Sequence, residues 1–300
     1  MNSPEHKLHS YVLAGDGTRL FVRARDGGGK TAFDPSAVHA VLCDGIACDG
    51  FIWKYLWEDL ASVAPVVHWH YRGHGRSAGP SDPNRVDVEA HAADLASVRE
   101  YMGDPPSVLF GHSMGVQVVL EEMRKHKKGV RGLVLICGSF GKVTHTFKGG
   151  PILEMILPKL ADAVRKNEGL ARAIWSRITP ELALKVALRA GDLDPERIHP
   201  EDFAPYIQHV RSMDFPMFLR MLSAAGEHSA EDLLPSLDVP TLIIAGEKDT
   251  FTPTYLADWM LEHIPGAELF MVRPGTHVAP LEQPELVRDR IVEFLRAKIL

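Results

Sequence analysis

Ser107-Val-Leu-Phe-Gly111-His112-Ser113-Met114-Gly115 decides how the rest of the chain reads. A short apolar run enters Gly-x-Ser-x-Gly, and Val116-Gln-Val-Val-Leu-Glu-Glu-Met123 continues it in a helical pattern. Strand, sharp turn and helix form the setting in which this motif exposes a reactive serine. A serine on so tight a turn has a strained backbone, and side chains at positions 111 and 115 would collide with the neighbouring strand and helix. The turn lifts the Ser113 hydroxyl to a helix N-terminus, where backbone N–H groups face a developing oxyanion. A Gly/Ser-rich turn after a buried strand gives the same letters, so the flanking segments have to distinguish the two.

Outward from this stretch, apolar strands alternate with helices. On the N-terminal side lie the strand Val38–Cys43, the turn Asp44-Gly45-Ile46-Ala47, and a helix with Ile52, Tyr55, Leu56 and Leu60 on one face, for which Asp49 is the expected N-cap. The strand Ala64–His70 leads into Tyr71-Arg-Gly-His-Gly-Arg-Ser77, and a helix is expected over 87–102. Val130–Cys137 reads as the next buried strand. Before residue 38, Tyr11-Val-Leu13 and Thr18–Arg23 flank Gly15-Asp-Gly17, a hairpin signal, and Gly27-Gly-Gly29 reads as a loop. The alternation stops near residue 140. A helical stretch follows, with Leu, Ile and Met at 3–4 spacing and breaks at Pro151, Pro158, Pro180 and Pro200. It resumes with the strand Pro240–Gly246, a helix near 253–264, the strand Ala267–Val272 and a helix over 284–298. The pattern predicts an α/β protein with a mostly parallel sheet of about eight strands, helices on both faces, and an all-helical cap inserted after the sixth strand. The core domain takes residues 1–139 and 237–300, and the cap residues 140–236.

Composition narrows the partners. The chain has 300 residues, 45% hydrophobic and 24% charged, which is ordinary for a soluble globular protein. Net charge is −6, and the one basic cluster, Arg124-Lys-His-Lys-Lys128, falls where a helix ends before Gly129 and complements the helix dipole. Neither nucleic acid nor a membrane is expected as a partner. Cys43, Cys48 and Cys137 are too few for a disulfide framework and favour a reducing compartment. The polar start, Met1-Asn-Ser-Pro-Glu-His-Lys7, has no apolar run behind it, and no stretch reaches membrane-span length. The expectation is a soluble cytoplasmic protein, monomeric or homodimeric.

A serine needs a base to take its proton, and the base needs an acid to orient it. Gly246-Glu-Lys-Asp249-Thr-Phe-Thr-Pro253 and Pro274-Gly-Thr-His277 each follow a strand, where open α/β sheets place working residues. Ser113, Asp249 and His277 thus reach one rim in the chain order serine, acid, histidine. Asp249 also fits a turn residue or a helix N-cap, Glu247 competes as the acid, and His277 is one of 15 histidines. The joint occurrence singles out these three.

The segments that carry these residues resemble the α/β-hydrolase superfamily, in particular a capped serine hydrolase of carboxylesterase type. They are Asp44-Gly45, Arg72-Gly-His-Gly-Arg-Ser77, Gly111-His-Ser-Met-Gly115, Gly246-Glu-Lys-Asp249 with Pro253, and Gly275-Thr-His277 with Glu282-Gln-Pro284. The resemblance implies an oxyanion hole from the backbone N–H groups of Met114 and Ile46. Two departures stand out. Asp44 replaces the family's usual histidine and is expected to point away and hydrogen-bond its loop, since a carboxylate aimed at an oxyanion opposes catalysis. His70 replaces the common aspartate before Arg-Gly-x-Gly, a structural change.

Two rival motifs fail. His68-x-His70-x3-His74 has metal-like spacing, but His68 and His70 share a strand face and no Asp-His pair follows, so no metal is expected. Gly73-His-Gly75-Arg-Ser-Ala78 fits a loose dinucleotide pattern, yet Gly79-Pro-Ser-Asp-Pro83 forbids the helix that it must open. No cofactor is expected. The implied reaction is ester cleavage through an acyl-enzyme on a small-molecule substrate, favouring small to medium uncharged acyl groups. Thioesters, lactones, C–C bonds or transfer to other acceptors stay open, as does a non-catalytic receptor on the same fold. Serine at 113 disfavours the aspartyl-nucleophile chemistry of related families. Phe140, Trp175, Phe215, Phe218 and Met221, with Val278 beside His277, are candidate pocket residues, although the same spacing also fits plain packing.

Overall fold

A computed structural model of the protein describes residues 7–27, 34 and 36–300. The polar start before Lys7 and Gly28-Gly29 of the glycine loop lie outside the described residues. In chain order the elements are β1 (Lys7–Leu13), β2 (Arg19–Arg25), β3 (His39–Cys43), α1 (Leu56–Ala61), β4 (Val66–Trp69), α2 (Val88–Tyr101), β5 (Ser107–His112), α3 (Met114–His126) and β6 (Val130–Ile136). A helical block follows: α4 (Val143–Thr146), α5 (Ile152–Lys166), α6 (Glu168–Trp175), α7 (Pro180–Ala190), α8 (Pro200–Ser212) and α9 (Phe215–Glu227). The chain closes with β7 (Thr241–Gly246), α10 (Thr254–His263), β8 (Glu268–Val272), α11 (Ala279–Glu282) and α12 (Pro284–Lys298).

Among the described residues eight strands form one sheet, in the order β1-β2-β4-β3-β5-β6-β7-β8. β1 pairs antiparallel with β2, from Lys7↔Arg25 to Leu13↔Arg19, and β2 antiparallel with β4; the other pairs are parallel. The central strands are mostly apolar because both faces are covered. Their residues alternate between two cores: Val41, Cys43, Leu109, Leu133, Leu135 and Ile243 on one face, and Ala40, Leu42, Phe110, Val134, Ile136 and Leu242 on the other. α2, α3 and α10 cover the first face with Leu95, Val98, Val116, Leu120 and Leu256. α1 and α12 cover the second with Leu56, Leu60, Ile291 and Phe294.

Two local expectations are corrected. Asp49 caps no helix. Gly50 takes a left-handed φ of 95° and starts a 3-10 turn over Phe51–Trp53, and α1 begins only at Leu56 without a side-chain cap. Asp49 instead lies 3.7 Å from His209 of α8. Pro158 breaks nothing; it sits inside α5. There it is exposed, and the neighbouring Leu157 and Val164 pack on Leu219 of α9, which outweighs one missing backbone hydrogen bond. The other three prolines do fall at boundaries, Pro151 just before α5 and Pro180 and Pro200 opening α7 and α8. Asp87 caps α2, accepting from Ala90 N–H at 2.6 Å. The basic residues in the last turn of α3 serve structure: Arg124 reaches Asp232 and Lys125 reaches Glu121.

Candidate active site

Ser113 joins β5 to α3 with φ 55° and ψ −121°, a backbone that an L-residue holds only under constraint. The constraint is close packing. A Cβ on Gly111 would meet the Gly115 carbonyl oxygen at 2.5 Å, and one on Gly115 would collide with the carbonyl oxygens of Cys43 and Asp44. The spacing of these glycines is therefore demanded by backbone-to-backbone contact between β3, β5 and α3. Met114 is the first residue of α3, so its N–H has no acceptor within the helix.

The loops after β7 and β8 bring their residues to the same rim. His277 Nε2 lies 2.8 Å from Ser113 Oγ, and His277 Nδ1 lies 2.9 Å from Asp249 Oδ2. The carboxylate only accepts, so Nδ1 carries the hydrogen and Nε2 is free to accept from the serine hydroxyl. Asp249 is held twice over: Oδ1 accepts from Phe251 N–H and Thr252 N–H at 2.8 and 2.9 Å, and Oδ2 also takes Thr252 Oγ1–H at 2.7 Å. It is a turn residue and the partner of His277 at once. Glu247 faces Arg273 at 3.5 Å instead. His112, beside His277 with ring centroids 5.1 Å apart, donates from Nε2 to the His277 carbonyl at 3.0 Å. Burial, reinforced by His277, lowers its pKa to about 3, so it stays uncharged there.

Ile46 lies beyond β3, in the loop that Ala47 N–H ties to His74 Nε2 at 3.2 Å. Asp44 does point into the protein, but it does not bond its own loop. Its oxygens accept from Trp53 Nε1–H and His68 Nε2–H, because the 3-10 turn and β4 present those donors directly behind it. His70 Nδ1 accepts from Arg76 N–H at 2.9 Å, which pins the Arg72–Ser77 turn. The three histidines of the metal-like spacing are thus engaged separately. Among the described residues no group of three or more His, Cys, Asp or Glu is placed to hold a metal ion. All three cysteines are buried and unpaired with one another.

Two cavities meet at this point. One of about 130 Å³ is lined by Cys48, Phe51, Leu193, Phe203 and Val278; the other, of about 270 Å³, by Met114, Val143, Phe147, Leu153, Phe218 and Leu222. Ile46, Ser113, Tyr206, Phe251 and His277 border both. Of the expected pocket residues, Phe218 and Val278 line a cavity. Phe140, Trp175, Phe215 and Met221 line neither. Phe140 and Met221 are buried in the core beside α3. Trp175 stacks on Phe215 with centroids 4.2 Å apart and donates to the Val210 carbonyl at 2.7 Å, so this pair closes α6 onto α8 and α9. Phe140 and Met221 are taken up by the core, and Trp175 and Phe215 by each other.

Sequence reasoning missed Tyr206, Phe203 and Phe251. Phe251 stood two residues from Asp249, and that adjacency was a usable signal; the α8 residues offered none without the topology. It also missed the ties that fix both loops. Glu282 accepts from Thr276 N–H, Thr276 Oγ1–H and Asp194 N–H, each at 2.8 Å. Asp192 accepts from Thr250 Oγ1–H at 2.6 Å and pairs with Lys148 at 2.8 Å.

Fold and rim geometry define an α/β hydrolase. Residues 38–290 match the Alpha/beta hydrolase family, and the chain belongs to it. The chain is similar to the pimeloyl-[acyl-carrier protein] methyl ester esterase of Neisseria meningitidis, 28% identical over 255 residues that cover 84% of this chain and 91% of that one. It is also similar to part of polyketide synthase ThaQ of Burkholderia thailandensis, 26% identical over 257 residues, 85% of this chain but 12% of that protein. A solved thermophilic esterase from Thermogutta terrifontis superposes with a TM-score of 0.75 at 25% identity, covering 98% of this chain and 100% of that one. Among the described residues no helix is long and apolar enough to cross a membrane.

Proposed function

We propose that the protein is a serine hydrolase cleaving carboxylic esters of small to medium uncharged acyl groups. The observation that carries this reading is the unbroken row Ser113 Oγ, His277 Nε2, His277 Nδ1, Asp249 Oδ2, with gaps of 2.8 and 2.9 Å. In the first half-reaction His277 Nε2 takes the hydroxyl proton while Ser113 Oγ bonds to the ester carbon. The N–H groups of Met114 and Ile46 hold the negative oxygen. The carbon–oxygen bond to the alcohol breaks, and the imidazolium gives its proton to the departing oxygen. In the second, water loses a proton to the same nitrogen and attacks the acyl carbon; the bond from that carbon to Ser113 Oγ breaks, the imidazolium returns the proton to Oγ, and the acid leaves. Asp249 holds the tautomer and stabilises the imidazolium. Every step uses protein groups and water.

The cap assignment of residues 140–236 belongs to the same proposal: Leu153, Leu193, Phe203, Tyr206, Phe218 and Leu222 would hold the two arms of the ester on either side of Ser113. The esterases among the similar proteins support the bond type. A fluorophosphonate probe tests the nucleophile, with labelling expected in the wild type and lost in Ser113→Ala. A series of p-nitrophenyl esters tests the substrate class. Rates peaking at short to medium chains support it; activity confined to long-chain emulsions, or to thioesters or lactones, overturns it.

A further inference from the structure

Asp44 directly follows β3 with no exposed surface, and both oxygens of its carboxylate are filled. Trp53 Nε1–H donates to Oδ1 at 2.7 Å and His68 Nε2 contacts Oδ2 at 2.8 Å. On the far side of that imidazole, Arg23 Nε–H donates to Nδ1 at 3.0 Å. Hydrogen counting along this row is restrictive. Guanidinium and indole N–H groups only donate, and a neutral imidazole donates at one nitrogen and accepts at the other. Between two obligate donors, the row closes only if the group at position 44 accepts twice. An ionised carboxylate does so. A protonated acid or an amide turns one hydrogen toward another hydrogen.

The row also brackets the loop that carries Ile46. Asp44 immediately precedes the loop, and its backbone carbonyl accepts from Tyr71 Oη–H at 2.7 Å. At the far end, Gly50 packs so closely on the row that a Cβ there would lie 2.5 Å from Arg23 Nη2 and 2.7 Å from His68 Cε1. Both ends of the loop are therefore referenced to the same buried hydrogen-bond row.

We infer that the Trp53–Asp44–His68–Arg23 row positions the second oxyanion donor, and that Asp44 must be ionised for Ile46 N–H to face the reacting carbonyl. The inference rests on the ester-cleaving reading above, in which Ile46 N–H binds the oxyanion. Asp44 is a positioning residue, since it touches no reacting atom. Burial pushes its pKa up to about 6, against the pull of the Arg23 charge and the Trp53 hydrogen bond. The other groups facing it are His209 from α8, whose pKa burial lowers, and Asp49, whose pKa burial raises. His70 is itself lowered to about 3, first by burial, and His68 well below its ordinary range by burial and Arg23, so both stay neutral. A carboxyl whose folded value lies above the ordinary 3.8 opposes folding once ionised: stability falls as pH rises from about 4 to about 6. The charge is thus held at the expense of stability, and acid should remove activity through Asp44, beside the loss that any general base suffers in acid.

The test measures kcat and KM on p-nitrophenyl acetate across the acid range for the wild type, Asp44→Asn and Arg23→Met. In the wild type, log kcat should fall with a limiting slope of two on the acid side. Asp44→Asn should lose about 10- to 100-fold in kcat, below the 10²–10³ typical of deleting an oxyanion donor outright, with KM within about threefold and an acid slope of one. Arg23→Met removes the compensating cation and should move the acid limb up by about one pH unit, with a smaller loss at alkaline pH than Asp44→Asn. A role in packing alone predicts losses that track thermal stability, with the acid limb unmoved, and that result overturns the inference. The second readout needs no turnover. In Ser113→Ala, indole emission should titrate near pH 6 and lose that transition in Trp53→Phe and in Asp44→Asn; its absence also overturns the inference. A wild type that neither labels nor hydrolyses esters refutes the esterase reading, and the indole titration still judges the charge on Asp44.

Discussion

The rim of the sheet and the helical block between β6 and β7 relate to the sequence in different ways. At the rim, chain direction does the placing. Ser113 follows the last residue of β5 directly, Ile46 lies three residues past β3, Asp249 three past β7 and His277 five past β8. Parallel strands end on one edge, so a residue just beyond a strand has little freedom in where it arrives. In the helical block, 3–4 spacing defines which residues share a helix face and leaves open which way that face looks. α5 shows the difficulty. Leu157 and Val164 turn inward onto Leu219, while Ile152, Met155 and Ile156 are 65%, 68% and 53% exposed. The helix has one broad apolar face, and only the edge that carries Leu157 and Val164 is buried, so periodicity selects the face without saying which part of it packs.

The rim assignment is the more breakable, because it commits to single atoms. Ser113→Ala and His277→Ala should each lower kcat by about 10⁶, and Asp249→Asn by about 10⁴, the losses seen when a serine protease loses the corresponding groups. Glu247→Gln should stay near the wild-type rate, since that carboxylate faces Arg273. Stopped assays with p-nitrophenyl acetate resolve all four. If Glu247→Gln fell as far as Asp249→Asn, position after a strand would no longer identify the acid.

Gly115→Ala probes the backbone beneath the same rim. The added methyl group would press on the carbonyl oxygens of Cys43 and Asp44, so β3 or α3 must shift. Overpacking of this kind typically costs about 1–3 kcal/mol, read as a lower urea midpoint. Fluorophosphonate labelling should slow as well, because the shift reaches Ser113 and the loop carrying Ile46 together. Unchanged labelling at reduced stability would separate the rim's geometry from the close packing beneath it.

The same contrast explains how much was legible. The elbow, the loops after β7 and β8 and the succession of strands and helices along the chain all follow from local patterns: buried runs, turn residues and a fixed alternation. Four of six pocket residues did not. Phe140 and Met221 carry the same apolar signature as Phe218, yet the helix-to-sheet packing buries them in the core. Tyr206 borders both cavities because α8 crosses above Ser113, a fact set by contacts between residues far apart in sequence. Asp44 shows a third case. The departure from the family's histidine was visible, but its partners, Trp53 and His68, come from separate elements and only the fold brings them together.

The smallest expected effects sharpen the comparison most, because they separate two aromatic groups within the helical block. Tyr206 and Phe218 border the cavities, whereas Trp175 and Phe215 stack on each other outside them. Tyr206→Ala or Phe218→Ala enlarges a cavity, so longer acyl chains should gain on shorter ones in kcat/KM by about 10-fold, the scale of one methylene's fit in an apolar pocket. Trp175→Ala removes a ring that stacks on Phe215 and packs on Phe218 with centroids 5.4 Å apart, together with the hydrogen bond to the Val210 carbonyl; it should lower the thermal midpoint and shift the chain-length ranking less than Phe218→Ala does, because it backs the cavity wall without forming it. Measuring the ranking and the midpoint for all three variants places each residue on one side of the line. A ranking that shifts in Trp175→Ala as far as in Tyr206→Ala would mean that α6 and α9 move as one with the cavity wall, and that the division between lining and packing inside the helical block is not a division the substrate feels.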